Sequence, residues 1–68
     1  MPVISVTMGE GQVTSKQKKE LIESFTASAV DITGIPAQKF TILIHELKTE
    51  SIGVGGKPLT EVMAAMAG

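Results

Sequence analysis

Phe40-Thr41-Ile42-Leu43-Ile44-His45-Glu46-Leu47 is the stretch on which the fold turns. It is rich in β-branched residues and almost uniformly apolar as far as Ile44, the pattern of a strand that wants cover on both of its faces. Behind it, Thr14 followed three residues later by Gln17 has capping-box spacing, and Lys16-Gln17-Lys18-Lys19-Glu20 are good helix formers. Leu21, Ile22, Phe25, Ala29 and Ile32 then recur at steps of three and four, so a helix is expected with one apolar stripe, stopped by Gly34 with Pro36 beyond. Lys18, Lys19 and Glu20 read as its solvated face. Further back, residues 2–8 alternate as a strand that begins at Pro2, with Ile4, Val6 and Met8 on one side and Val3, Ser5 and Thr7 on the other. Gly9-Glu10-Gly11-Gln12 breaks it. Strand, helix and strand in so short a chain make a β-α-β unit of the α/β (α+β) class, its two strands parallel through a right-handed crossover. Two strands and one helix leave a sheet face bare, and copies of the chain are expected to cover it for one another.

Downstream, Lys48-Thr49-Glu50-Ser51 leads into Ile52-Gly53-Val54-Gly55-Gly56-Lys57-Pro58. A phosphate-binding loop needs glycine where Ser51 stands and a hydroxyl where Pro58 stands. The segment reads instead as a glycine hairpin that pairs with a neighbouring subunit. Pro58 is expected at the first position of a short terminal helix, with Val62, Met63 and Met66 packing on the assembly.

Composition bounds the rest. Sixty-eight residues form a single domain, 1–68, that buries only about 60% of its unfolded surface. There is no cysteine and one histidine, so no disulfide framework and no thiolate metal site is available to staple it. Yet 43% of the residues are apolar and the mean hydropathy is positive, more than one small core can hide. Self-association is the remaining way to bury that surface. Six cations against seven anions, with two aromatic residues and no basic stripe, give no footprint for nucleic acid. No apolar run reaches the roughly 20 residues of a membrane span and no signal pattern opens the chain, so the expectation is a cytoplasmic protein without membrane partners.

Met1-Pro2 is the candidate for chemistry, set against the plainer reading of a proline that merely starts an edge strand. Within a chain, a proline nitrogen is an amide without basic character. If Met1 is trimmed, as is usual before a small residue, Pro2 becomes a free secondary amine held on a strand. A terminal amine titrates near about 8, and burial or a neighbouring cation lowers that value toward what a general base needs at neutral pH. His45 shares its strand face with Thr41, Leu43 and Leu47 by alternation and reads as a hydrogen-bonded structural histidine. Glu46 and Glu50 have no carboxylate partner at a fixed spacing, so a paired-carboxylate hydrolase has no support.

Taken together, Met1-Pro2, the Glu10-Gly11 turn, Gln17-Lys18 and Leu21-Ile22 in the helix, Ile44-His45-Glu46 ending the second strand, and Ile52-Gly53-Val54-Gly55-Gly56-Lys57 resemble the 4-oxalocrotonate tautomerase family. The resemblance runs from Pro2 to about Lys57. It implies a β-α-β subunit with two parallel strands, one main helix and a C-terminal hairpin, assembled as a homohexamer (a trimer of dimers) without cofactor or metal. It implies an isomerase in which Pro2 moves a proton between an enol and its conjugated keto acid, a small-molecule substrate such as 2-hydroxymuconate. The family's two carboxylate-binding arginines correspond here to Gln12 and Thr41, and its apolar wall to Ile52, so these three are the substrate-facing positions. Lys16 or Lys57, from an adjacent subunit, are the cations available to stand in, though each reads first as solvated surface charge. The alternatives are a hydratase, dehalogenase or decarboxylase of the same superfamily, and a non-catalytic assembly protein that keeps the fold.

Overall fold

The computed structural model describes residues 1–67; the last residue of the expected domain, Gly68, lies outside them. Alternation in the first segment becomes strand β1, Val3–Gly9, whose even-numbered residues Ile4, Val6 and Met8 are half-buried while Val3, Ser5 and Thr7 are exposed. Helix α1, Ser15–Thr33, starts where the capping box places it: the Thr14 hydroxyl accepts from the Gln17 backbone N–H at 3.1 Å, and the Gln17 side chain accepts from the Thr14 N–H at 2.8 Å. It stops at Gly34, whose φ of 74° is one that only glycine adopts without strain, and whose N–H donates to the Val30 carbonyl at 2.8 Å.

Strand β2, Thr41–Leu47, lies parallel to β1 in the register Val3↔Thr41 through Gly9↔Leu47. The chain therefore runs out along β1, back along α1 and out again along β2. One end of the sheet carries Pro2 and the start of β2; the other carries Gly9 and Leu47. Phe40, expected inside the strand, caps a 3-10 turn, Ala37–Lys39, that turns the chain into β2. A second 3-10 turn, Thr49–Ser51, leads to β3, Gly53–Val54, and β4, Lys57–Pro58, paired as a tight hairpin. Gly55 and Gly56 between them have φ of 61° and 84°, as a type I′ turn requires at both central positions. That is the physical reason for the glycine run. Pro58 closes the hairpin instead of opening the helix, and α2 spans Leu59–Ala67. No described helix is long and apolar enough to cross a membrane.

Helix α1 covers the even-numbered sheet face. Its half-buried residues are Lys18, Leu21, Phe25, Thr26, Ala29 and Val30. Two members of the expected stripe fall outside: Ile22 is exposed and Ile32 is 83% exposed. Two strands about 4.8 Å apart are narrower than a helix about 10 Å across, and 19 helical residues span about 28 Å against about 23 Å for seven strand residues, so flank and last turn both overhang. Lys18, read from the sequence as part of the solvated face, is half-buried and donates to the Glu46 carboxylate at 2.9 Å, tying α1 to β2.

The odd-numbered face is bare. β2 is thus covered on one side only within the chain, where its composition asks for two: Val3, Leu43 and Leu47 are 50%, 41% and 40% exposed. Among the described residues no hydrophobic side chain is fully buried. The Cα radius of gyration, 15.4 Å, exceeds the about 11 Å of a compact chain this long. The accessible surface, 5050 Å², likewise exceeds the about 4,100 Å² of a folded monomer of 7.1 kDa by roughly one partner's share of a standard protein interface. Both excesses reflect apolar surface that the single chain leaves uncovered.

Candidate active site

Pro2 enters the sheet one residue before β1, half-buried, and its carbonyl accepts from the Thr41 N–H at 3.0 Å. Because that bond continues the parallel ladder, the residue is held at the sheet's end by the backbone of β2. Thr41 itself is half-buried. Met1 is 88% exposed, so the Met1–Pro2 peptide bond is open to an aminopeptidase. With Met1 attached the proline nitrogen is an amide; once it is removed, the lone pair sits within the reach of whatever surrounds the start of β2.

Gln12 and Ile52 lie at the opposite end. Gln12 follows the turn after β1, where Glu10 N–H donates to the Leu47 carbonyl at 2.8 Å. Gly9 is buried there: a methyl group on its Cα would stand 3.4 Å from Gln12 Nε2 and 3.5 Å from Thr49 Cγ2, so the Gln12 amide and Thr49 close over the sheet's end. Ile52 caps the Thr49–Ser51 turn and is half-buried; its N–H donates to the Thr49 carbonyl at 3.2 Å and its carbonyl accepts from Leu59 N–H at 2.6 Å. The Thr49 and Thr60 hydroxyls, 2.9 Å apart, pin the start of α2 to the same turn.

The four positions therefore form two pairs. Pro2 and Thr41 are neighbours; Gln12 and Ile52 are both tied to Thr49. Seven residues of extended strand separate Pro2 from Gly9, about 23 Å. A small enol acid spans under about 10 Å, so one chain cannot offer it both pairs.

The described grooves do not resolve that separation. One, about 620 Å³, runs along a flank of α1 between Ile22, Thr26, Val30 and Ala37, and none of the four positions lines it. It is open and mostly apolar, a packing surface more than a reaction site. A second, about 440 Å³, lies by Glu10, Lys48, Thr49, Glu50, Thr60 and Glu61, beside the Gln12 end. His45 sits on the bare sheet face opposite Thr7, sharing that face with Thr41, Leu43 and Leu47 as the alternation requires. Its side chain has no hydrogen-bond partner among the described residues, so the structural bond expected of it is not found among them. Lys16 heads α1 and Lys57 opens β4, both exposed and both at the Gln12 end. Sequence reading overlooked one cation: Lys39, the last residue of the turn that leads into Thr41. The signal was available, since Lys39 lies two residues before a position assigned to the substrate.

Residues 2–63 match the family model described as tautomerase enzyme. The chain is similar to 2-hydroxymuconate tautomerase of Bacillus subtilis, with 34% identity over 62 residues that cover 91% of this chain and 98% of the relative. In three dimensions it is similar to TomN, a 4-oxalocrotonate tautomerase homologue in the tomaymycin biosynthetic pathway, with a TM-score of 0.88 at 32% identity over 93% of this chain and 95% of that one. It is also similar to a heterohexamer 4-oxalocrotonate tautomerase of Chloroflexus aurantiacus, with a TM-score of 0.83 at 29% identity over 91% and 98% of the two chains.

Proposed function

The chain belongs to the tautomerase family, and on that footing we propose that it is an isomerase whose base is the amino-terminal nitrogen of Pro2 after loss of Met1. The neutral amine takes the proton of a 2-hydroxyl group in an enol acid, the electron pair moves along the conjugated system, and the resulting ammonium returns a proton to carbon. Amine plus enol becomes ammonium plus enolate, then amine plus ketone. No cofactor or metal is required for that balance. The observation that supports this reading most directly is that the family match opens on Pro2, the residue whose carbonyl the Thr41 N–H holds at 3.0 Å.

The working unit in this proposal is an oligomer. A second copy brings its Gln12 and Ile52 to the first copy's Pro2 and Thr41, joining pairs that one chain keeps about 23 Å apart. Ile52 supplies an apolar wall, and Gln12 and Thr41 face the substrate. The bare sheet face and the excess surface support association, and the likeness to a heterohexameric tautomerase favours six subunits, here of one kind, as a trimer of dimers.

Ketonisation of 2-hydroxymuconate tests the reaction, with protein whose intact mass shows that Met1 is gone. Pro2→Ala should lower kcat by about 10²- to 10⁴-fold, the usual contribution of a positioned acid–base group, without changing the assembly. Equal turnover by the parent and Pro2→Ala proteins would refute the role of Pro2. The same-superfamily alternatives predict proline-dependent consumption of other substrates; a protein kept for assembly alone predicts no proline-dependent turnover.

A further inference from the structure

The chain contains no arginine, so every cation that can meet an acidic substrate is one of six lysines. Their places in the fold separate them. Lys18 is engaged with Glu46 at 2.9 Å. Lys16 and Lys19 stand on the first turns of α1, and Lys48 and Lys57 flank the hairpin, all at the Gly9 end of the sheet. Lys39 alone lies at the Pro2 end.

Its position is set by three backbone bonds. Lys39 N–H donates to the Pro36 carbonyl at 3.0 Å, Phe40 N–H to the Ala37 carbonyl at 3.1 Å, and Thr41 N–H to the Pro2 carbonyl at 3.0 Å. The first two fold the turn; the third fastens it to Pro2. Lys39 is exposed and makes no ion pair among the described residues. A lysine stem reaches roughly 6 Å from its Cα, and a single residue separates Lys39 from Thr41, so the ammonium can stand over a ligand beside Pro2 without help from another copy. The other ionised group of the elements at this end, Asp31 near the end of α1, lines a groove together with Ala37 of the same turn and makes no ion pair with Lys39 among the described residues.

Resting on the tautomerase reading above, we propose that Lys39 holds the substrate's carboxylate beside Pro2, and that the preferred substrates are monocarboxylate enols of 2-oxo acids. A lysine is a compact point charge that grips one carboxylate, without the bidentate fork a guanidinium brings. With neutral Gln12 and Thr41 at the other substrate-facing positions, a second carboxylate would meet no charged partner at either of them. The same ammonium opposes protonation of the Pro2 amine and so keeps it available as a base near neutral pH.

The test compares Lys39→Gln, Lys39→Arg and Lys57→Gln, all processed to Pro2, on phenylenolpyruvate and 2-hydroxymuconate. The parent should show the higher kcat/KM on phenylenolpyruvate. Lys39→Gln should raise KM for it about tenfold or more, as expected for a lost hydrogen bond to a charged group, and Lys39→Arg should recover most of that loss. The acid limb of the kcat/KM pH profile should move up by roughly 0.5 to 1 unit in Lys39→Gln, as should the Pro2 amine titration followed by ¹⁵N NMR. An unchanged KM and an unmoved amine titration, or the larger KM effect in Lys57→Gln, would overturn the assignment; a higher kcat/KM on 2-hydroxymuconate would overturn the substrate preference. The amine titration needs no turnover, so it tests Lys39 even if Pro2→Ala turns over as fast as the parent, the outcome that instead sinks the tautomerase reading.

Discussion

The two ends of the β1–β2 sheet are made of different materials. At the start of β2 the chain presents half-buried Pro2 and Thr41, joined by a backbone hydrogen bond, with exposed Lys39 on the turn beside them. At the far end, Gln12 and Thr49 close over a buried glycine, Ile52 bonds to Thr49, and a hairpin and α2 follow. In the proposal above, one end supplies the base and Lys39, and the other supplies the apolar wall and Gln12, with the remaining lysines around it. The contrast teaches that one chain keeps the two pairs of positions apart, and the proposed site therefore needs a second copy.

That contrast can be broken first through what both ends share, the bare odd-numbered face. Leu43→Lys puts a charge at its centre, opposite Ser5 in the register. An unpaired charge forced into an apolar interface costs several kcal/mol, so light scattering should report a smaller species and turnover should vanish with the assembly. Retention of the parent mass would mean that this face is not an interface. A far smaller effect is expected inside one end, at the ion pair joining α1 to β2. Lys18 and Glu46 are each about one-third exposed or less, and Lys18→Ala should cost about 0.5 kcal/mol, a few degrees or less in Tm, while proline-dependent turnover persists. A large loss of activity in that variant would assign Lys18 a part in the site that its pairing with Glu46 does not suggest.

Local features were legible in the sequence wherever a local cause sets them. The capping box at Thr14 and Gln17, the left-handed stop at Gly34 and the alternation in β1 each depend on residues within four positions of one another. The glycine hairpin was legible for the same reason, because a type I′ turn needs positive φ at both Gly55 and Gly56. Less legible were features set by packing width. The exposure of Ile22 and Ile32 follows from a sheet narrower and shorter than the helix above it, and no periodicity in the helix reveals that. Lys18 reads as surface until Glu46 is seen beneath it.

The site divides along the same line. Pro2 stood out because a proline at a chain's beginning has a chemistry that depends on one cleavage alone. Gln12, Thr41 and Ile52 were reached through a family resemblance, and residue spacing gave no hint that the chain holds them at opposite ends of a sheet. Lys39 was overlooked because its significance comes from the Thr41–Pro2 hydrogen bond, a contact between residues 39 positions apart in the chain.

Subunit mixing tests the central claim most directly. Pro2→Ala removes the base from one end and Ile52→Asp spoils the wall at the other, so each protein alone should be inactive while still able to assemble. Unfolded together and co-refolded, the two should form mixed oligomers in which about a quarter of the sites unite an intact Pro2 from one chain with an intact Ile52 from another. The account predicts recovery of about that share of the parent turnover. No recovery from mixed oligomers verified by mass, or full activity in Ile52→Asp alone, would contradict a site shared between copies.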